Sequence, residues 1–164
     1  MFACAACQIV HFHGQMPDLV VTRAQVLDVL LALDVLSAMG PDGLHPELLR
    51  GCAGVLSKPL LILFERSLLC GVLPDLWLES IVIPLFKGKS RYDPLNYRPV
   101  SLTSVCCKSL ERIIVSCLVE YLESNEILSP HQFGFRKSRS TGDQLLLAYS
   151  DVSDWVDDDF VVDV

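Results

Sequence analysis

Basic side chains concentrate in the middle of this sequence, and acidic side chains concentrate at its end. Residues 87–139 carry nine Lys or Arg and five Asp or Glu, whereas residues 140–164 carry seven acidic side chains and no basic one. Ionic screening over about 8 to 10 Å lets a cationic patch act independently of distant charge. The middle segment can therefore bind a polyanion although the chain has a net charge of −7. A solvated loop rich in Lys and Arg would explain the same composition.

Two clusters contain residue types that bind metal ions. Cys4, Cys7, His11 and His13 could ligate zinc, but structural zinc sites usually place about a dozen or more residues between the Cys pair and the His pair. The acidic run 157–159 ends a predicted helix, and its three consecutive side chains point in different directions. We therefore predict no metal site in either cluster. The first reads as an apolar start of the chain and the second as a solvated acidic turn.

Helical patterns occupy the first half of the chain. Thr22 is predicted to cap a helix that continues until Gly-Pro-Asp-Gly at 40–43, because Gly and Pro together break a helix. Pro46 suits the first turn of the next helix. The pattern then stays helical to Cys70, with a predicted break near 57–59 and a stop at Gly71.

Two short strands and two further helices are predicted for the second half. A strand is predicted at 80–86, at an edge or bulge because of Pro84, followed by a polar loop at 87–96 and a second strand at 97–102. Ser104 then opens a long helix that ends near Asn125, and a short aromatic strand or turn follows at 132–135. Ser140 and Thr141 cap a helix that runs to about Asp157, and an apolar strand is predicted at 160–164. The sequence thus predicts one helix-rich α+β unit.

The composition is that of an ordinary intracellular domain. The chain has 164 residues, 51% of them hydrophobic, which suffices for a core of its own. Charges interrupt every apolar run before the roughly 20 residues that a spanning helix needs, and no Lys or Arg precedes the apolar start, as it would in a signal peptide. Seven cysteines are an odd number, and most lie in apolar helical patterns, which indicates reduced thiols. We predict no membrane segment and a location in the nucleus or the cytoplasm.

Three ordered motifs carry a family resemblance. They are Gly-Pro-Asp-Gly at 40–43, Asn-Tyr-Arg-Pro-Val-Ser-Leu at 96–102, and Gln-Phe-Gly-Phe-Arg at 132–136 followed by Ser140 and Thr141. In this order and spacing they resemble the reverse transcriptase domain of non-LTR (LINE-type) retrotransposons. The resemblance covers residues 22–164 and leaves 1–21 as an uncertain N-terminal segment.

The resemblance implies part of a right-handed polymerase fold, namely an N-terminal helical extension and the fingers. It also implies that the palm is truncated, because the chain ends before the strand that bears the first catalytic aspartate. We therefore predict no catalytic and no metal-binding residue here. Mg²⁺ is expected as a cofactor of the full-length family only, because two metals must hold the attacking and leaving oxygens in nucleotide transfer.

The resemblance also implies a nucleotide site. Arg98 matches a fingers cation that grips the β- and γ-phosphates of a nucleoside triphosphate, which Arg can bind in bidentate fashion. Lys87 resembles the second such cation, with Lys89 as a nearby competitor. For Arg98, an ion pair that holds the fingers together remains the alternative.

A second site is implied where the family's chain passes the template strand. Gly134 would let the backbone approach a phosphate, and the neighbouring polar and basic side chains would neutralise phosphates without reading sequence: Gln132, Arg136, Lys137 and Arg139. Phe133 and Phe135 are expected either to stack on bases or to lie in the core. The expected partners are an RNA template and a DNA primer for the full-length family, with weak nucleic-acid binding and possible self-association for this chain.

Two hypotheses follow. The first is a fragment of an RNA-directed DNA polymerase of a LINE-type retrotransposon that is inactive alone. The second is a co-opted or decayed fragment that acts only as a nucleic-acid or protein binding module. Ser37, Leu78 and Asp159 depart from the family pattern, and the first two stand where Lys is common, which weakens the expected nucleic-acid binding.

Overall fold

The computed structural model describes residues 16–157 of the chain. The contacts divide it into two compact units, Gln15–Glu120 and a second that includes residues 121–157. The elements in chain order are α1 (Arg23–Leu31), α2 (Pro46–Gly51), α3 (Ala53–Cys70), α4 (Asp75–Leu78), β1 (Ile81–Phe86), a 3-10 turn (Pro94–Asn96), β2 (Tyr97–Leu102), α5 (Val105–Ser124) and α6 (Thr141–Asp157). The predicted α+β class is confirmed. The predicted Cys/His cluster and the predicted strand at 160–164 lie outside the described residues.

Helix α1 begins as predicted but ends earlier. The Thr22 hydroxyl accepts the Gln25 N–H, and the Gln25 amide oxygen accepts the Thr22 N–H at 2.8 Å, which forms a capping box. The prediction that the helix continues until residues 40–43 is wrong, because Asp34 organises a turn. Its carboxylate accepts the Leu36 N–H, and its carbonyl accepts the Ser37 hydroxyl. Such local hydrogen bonds compete with the helical ladder.

The predicted break near 57–59 is also wrong. The helix is interrupted at Cys52, between α2 and α3, and α3 continues through Pro59 without a break. A proline inside a helix costs about 3 kcal/mol. Burial of Leu60 and Phe64 on the same helix offsets that cost, at about 1.5 to 3 kcal/mol for each side chain. The predictions at the ends are confirmed, since Pro46 opens α2 and Gly71 ends α3 in the left-handed region with φ of 65°.

One hydrophobic core joins α1, α2, α3, α4 and the first half of α5. Phe64 is fully buried and packs edge to face on Trp77 of α4, with ring centroids 5.9 Å apart. The other buried members include Val26, Leu30, Leu49, Val105, Leu110 and Ile113. Arg23 adds polar contacts between α1 and α3, since its guanidinium donates to the buried Ser57 hydroxyl and to the Gly54 carbonyl.

Buried cysteines take part in this core as small hydrophobic residues. Cys106 and Cys107 lie on α5, and the cysteines in the described part of the chain are free thiols. Burial raises the pKa of Cys106 to about 11, and the nearby Asp42 carboxylate adds to the rise. The prediction of reduced thiols is confirmed for these described cysteines.

Strands β1 and β2 form an antiparallel hairpin in which Leu85 pairs with Arg98 and Pro84 pairs with Pro99. The two predicted strands are confirmed to within one residue. The loop between them is closed by a bond of 2.7 Å from the Lys87 N–H to the Asn96 carbonyl. Every residue of β1 is exposed, so this hairpin projects its apolar side chains into solvent.

The second unit contains the predicted turn and α6. The Ser140 hydroxyl accepts the Asp143 N–H, and the Asp143 carboxylate accepts the Ser140 N–H, so the predicted cap is confirmed. The aromatic segment 132–135 is a turn and not a strand. None of the helices between residues 16 and 157 combines the length and the hydropathy that crossing a membrane requires.

The Gly-Pro-Asp-Gly turn packs closely against the start of α5. A Cβ atom on Gly40 would lie 2.6 Å from the Thr103 carbonyl carbon and 2.7 Å from the Ser104 backbone nitrogen. Only a hydrogen fits at this distance. Gly40 therefore lets the α1–α2 connection touch the N-terminus of α5.

We predict that Gly40→Ala lowers the free energy of unfolding by about 1 to 3 kcal/mol, because the added methyl group must displace backbone atoms. Urea unfolding followed by circular dichroism measures the change. Gly54→Ala in α3 is the matched control, since its Cβ meets open space, and it should be neutral or stabilising. Equal stabilities for the two variants would contradict the close packing at Gly40.

Candidate nucleic-acid interface

The register of the hairpin brings Lys87 and Arg98 to one face. Arg98 lies directly opposite Leu85, and directly paired residues share a face of an antiparallel sheet. Lys87 follows Leu85 by two positions, and its N–H bond to Asn96 continues the ladder. Side chains alternate with a period of two, so Lys87 lies on the same face as Leu85 and Arg98. Both predicted nucleotide-binding cations therefore lie together.

Both cations are available to a ligand. Lys87 and Arg98 are exposed, and neither side chain makes a hydrogen bond or ion pair within residues 16–157. Arg98 thus keeps five N–H donors in a planar fork. Lys89, the competing cation, is also exposed and has a backbone φ of 70° in the loop.

Arg136, in contrast, is bound by its own chain. Its Nε donates to Glu123 Oε1 at 2.8 Å, its Nη2 donates to Oε2 at 2.5 Å, and its Nη1 donates to the Ser129 carbonyl at 2.9 Å. This bidentate bond lowers the pKa of the Glu123 carboxyl and raises the pKa of the Arg136 guanidinium. The arrangement fixes the turn against the end of α5.

Arg139 is also engaged within the turn. Its guanidinium lies 5.0 Å from the centroid of the Phe133 ring and donates to the Pro130 carbonyl. Phe133 is partly buried under this cation, whereas Phe135 is fully exposed with φ of 60°. Phe133 thus packs within the turn, whereas the Phe135 ring is exposed to solvent.

The remaining predicted residues of this site are exposed. Gln132, Gly134 and Lys137 lie at the surface, and Lys137 makes no hydrogen bond or ion pair in the described part of the chain. A Cβ on Gly134 would meet open space, so the chain's own packing does not require glycine there. The structure therefore brings Arg136 and Arg139 into contact with neighbouring residues and leaves Lys137 as an unpaired cation of the turn.

The residues described here do not form a site for Mg²⁺. Between residues 16 and 157, His, Cys, Asp and Glu form no group of three or more that could hold a metal ion.

Sequence reasoning missed the partners that hold the turn. Glu123 and Arg136 are 13 positions apart, and no helical or strand spacing connects them. The contact of Arg91 with Phe86, 5.5 Å from the guanidinium carbon to the ring centroid, was missed for the same reason. A search for charge pairs that flank a predicted turn would have suggested the first of these.

The chain is similar in sequence to proteins of retrotransposons. It is 33% identical over 129 residues to a retrovirus-related Pol polyprotein from type-1 retrotransposable element R1 of Bradysia coprophila, which covers 77% of the chain and 12% of the relative. It is 30% identical over 135 residues to the RNA-directed DNA polymerase from mobile element jockey of Drosophila melanogaster, covering 82% of the chain and 15% of the relative. No family model matches.

These relatives define a class, the RNA-directed DNA polymerases of mobile elements. A third relative, the probable RNA-directed DNA polymerase from transposon BS of Drosophila melanogaster, is 28% identical over 122 residues. The chain is related to the reverse transcriptases of non-LTR retrotransposons. It spans only 12–15% of the length of these relatives.

We predict that Arg136→Ala raises the pKa of Glu123 toward its ordinary value of 4.5, because the guanidinium bond is the main cause that lowers it. A carboxyl whose pKa is lowered by folding contributes stability above its unfolded pKa and loses that contribution as pH falls through the folded pKa. The variant should therefore lose this acid-side pH dependence. Carboxyl carbon chemical shifts followed from pH 7 to pH 2 measure the pKa. Lys137→Ala removes the same charge and should leave it unchanged; an equal rise in both variants would contradict the pairing.

Proposed function

We propose that this chain is the fingers-containing segment of an RNA-directed DNA polymerase of a LINE-type retrotransposon, and that its hairpin binds the incoming nucleotide. The single observation that supports this most is the shared exposed face of Lys87 and Arg98. Residues 22–164 then correspond to the N-terminal helical extension and the fingers of a right-handed polymerase. The polymerase names of the relatives do not favour a co-opted binding module.

The chemistry of the two cations suits a triphosphate. A nucleoside triphosphate carries several negative charges on closely spaced oxygens, and the Arg98 fork can donate to two of them at once. Lys87 adds a flexible point charge within reach of the next phosphate. Because both side chains lie on a β-hairpin, the strand register sets their spacing before the ligand arrives, which reduces the entropy cost of binding.

The turn that contains Lys137 is proposed to contact the template backbone. Lys137 and the exposed Gln132 supply the direct contacts, and Gly134 leaves room for a phosphate to approach. Arg136 and Arg139 act here chiefly as positioning residues, since one binds Glu123 and the other stacks on Phe133. With few free cations, binding by the isolated chain is weak and independent of sequence.

We predict that Arg98→Ala and Lys87→Ala each weaken dTTP binding by about fivefold or more, because each removes a charge-assisted bond to phosphate. Arg98→Lys should give an intermediate loss, since it keeps the charge and loses the fork. Isothermal titration calorimetry with the full chain measures the affinities.

Two controls make this experiment specific. Lys58 is an exposed residue of α3, so Lys58→Ala removes the same charge away from the hairpin and should bind dTTP like the wild type. The comparison of dTTP with dTMP separates phosphate contacts from contacts to the base and sugar. The proposal is wrong if the hairpin variants bind dTTP as tightly as Lys58→Ala does.

Self-association is a separate proposal that rests on α6. None of its residues is buried, and an apolar stripe at helical spacing contains Leu145, Tyr149, Val152 and Val156. Asp143, Asp151, Asp154 and Asp157 supply the acidic positions of the same helix. An amphipathic helix with no buried face is stabilised when a second apolar surface covers it. A second copy of the chain would supply such a surface.

We predict that Tyr149→Asp shifts the chain toward the monomer in sedimentation-velocity experiments, because it places a charge in the apolar stripe. Ser150→Asp adds the same charge to the neighbouring position and should leave the association unchanged. A monomeric wild type at concentrations of about 0.1 mM would reject self-association through this helix, given that specific dimers commonly bind more tightly than this.

A further inference from the structure

The outer face of α3 carries an exposed apolar stripe formed by Val55, Ile62 and Leu69. These side chains are 79%, 59% and 81% exposed, although all three are large hydrophobic residues. They lie seven residues apart, and seven residues make nearly two helical turns, so the line through them drifts by only about 20° per step. The opposite side of α3 is buried in the core through Leu60 and Phe64. The stripe therefore faces solvent along the length of the helix.

The stripe matches itself when a second copy of α3 runs in the opposite direction. Val55 and Leu69 are equally distant in sequence from Ile62. A two-fold axis at Ile62 therefore places Val55 of one copy beside Leu69 of the other and brings the two Ile62 side chains together. A contact of this kind uses the same patch on both copies and closes at a dimer.

The residues that flank the stripe favour this antiparallel arrangement. At about 100° per residue, Lys58 and Glu65 lie on one flank of the stripe, and Pro59 and Arg66 lie on the other. The two-fold axis keeps each flank on its own side and reverses the helix direction. Lys58 of one copy then lies within one helical rise, about 1.5 Å along the axis, of Glu65 of the other. Opposite charges meet on this flank, and a proline faces the arginine on the other.

A parallel pair of the same helices would be disfavoured by charge. It would place Lys58 against Lys58 and Glu65 against Glu65, and like charges that face each other across an interface are costly. Both side chains are exposed, and neither forms an ion pair within residues 16–157. Their charges are therefore available to a second copy, and they specify its direction.

Apolar exposure continues in the helices that precede and follow α3 in the sequence. Leu48 of α2 and Leu76 of α4 are 56% and 53% exposed. Specific interfaces commonly bury about 800 Å² on each partner. These two leucines add to the apolar surface that a partner on this side of the first unit can cover.

We propose that a second copy of this chain covers the stripe, with the two α3 helices packed antiparallel about Ile62. The dimer buries Val55, Ile62 and Leu69 of both copies and forms two Lys58–Glu65 pairs between them. The proposal rests neither on the nucleotide site of the hairpin nor on association through α6.

Two cysteines of the chain report directly on this geometry. Cys52 immediately precedes α3, Cys70 is its last residue, and both are exposed free thiols. The 18 residues of α3 separate them by about 27 Å within one copy, which is too far for a short linker. In the antiparallel pair, Cys52 of one copy lies near the same end as Cys70 of the other. A short bismaleimide reagent added to the full chain at about 0.1 mM should therefore link Cys52 to Cys70 between copies, as peptide mass mapping would show.

Substitutions on α3 test the stripe and its charges by sedimentation velocity. All are made in the Tyr149→Asp background, so that association through α6 does not contribute. Ile62→Asp should weaken dimerisation by at least about tenfold, because it brings two carboxylates together at the two-fold axis. Leu36→Asp is the matched control, since Leu36 is an exposed leucine outside α3 and should dimerise like the background variant.

A charge exchange distinguishes a specific pairing from a loss of folding. Lys58→Glu and Glu65→Lys should each weaken dimerisation by about fivefold, because each replaces two attractive pairs by two repulsive ones. The double variant should restore the dimer, since opposite charges again meet in both pairs.

The proposal is overturned if the chain gives no Cys52–Cys70 link, which would leave the stripe to a different partner. It is also overturned by Cys52–Cys52 and Cys70–Cys70 links in their place, which would indicate a parallel pair. Equal dimerisation of the Ile62→Asp and Leu36→Asp variants, or a double charge variant that stays as weak as the single ones, would likewise contradict it.

Discussion

The pairing of Leu85 with Arg98 is the constraint on which the chemistry of the hairpin depends. Because side chains alternate along a strand, this one register places Lys87 and Arg98 on one face and Pro84, Pro99 and Tyr97 on the other. If one strand slipped by one residue, its side chains would move to the opposite faces, and Lys87 and Arg98 would no longer share a face. The bond from the Lys87 N–H to the Asn96 carbonyl holds the register at the loop end of the hairpin.

The helices of the first unit pack around a core of their own. Helices α1, α3 and α5 share a core in which Phe64, Leu30 and Val26 are fully buried, and Gly40 allows the turn before α2 to contact the start of α5. Thr103 and Ser104, which Gly40 contacts, directly follow β2, so this packing lies where the hairpin continues into α5. The helices bury apolar residues in this core, whereas the hairpin exposes its apolar residues to solvent.

Local chemistry explains what the sequence predicted well. The caps at Thr22 and Ser140, the stop at Gly71 and the β-branched strand β1 depend on residues close to one another in the sequence, and all are confirmed. The errors arose where another interaction competed with a local signal, or where two partners lie far apart in the sequence. Asp34 ended α1 early, core packing carried α3 through Pro59, and Glu123 paired with Arg136 from 13 positions away. The ordered motifs predicted the family, which the relatives confirm, whereas the geometry of the binding residues needed the register of the fold.

The pairing of Pro84 with Pro99 affects whether the exposed hairpin can pair with the strand of another chain. Hydrogen-bonded and non-hydrogen-bonded pairs alternate along an antiparallel ladder. Counting from the Lys87–Asn96 bond, Leu85–Arg98 is a hydrogen-bonded pair and Pro84–Pro99 is a non-hydrogen-bonded pair. The backbone nitrogens of Pro84 and Pro99 therefore point away from the partner strand. Each nitrogen lacks a hydrogen, so both outer edges lose a donor at mid-strand, where another β-strand would attach. The hairpin can therefore display apolar faces to a ligand while remaining a poor template for edge-to-edge aggregation.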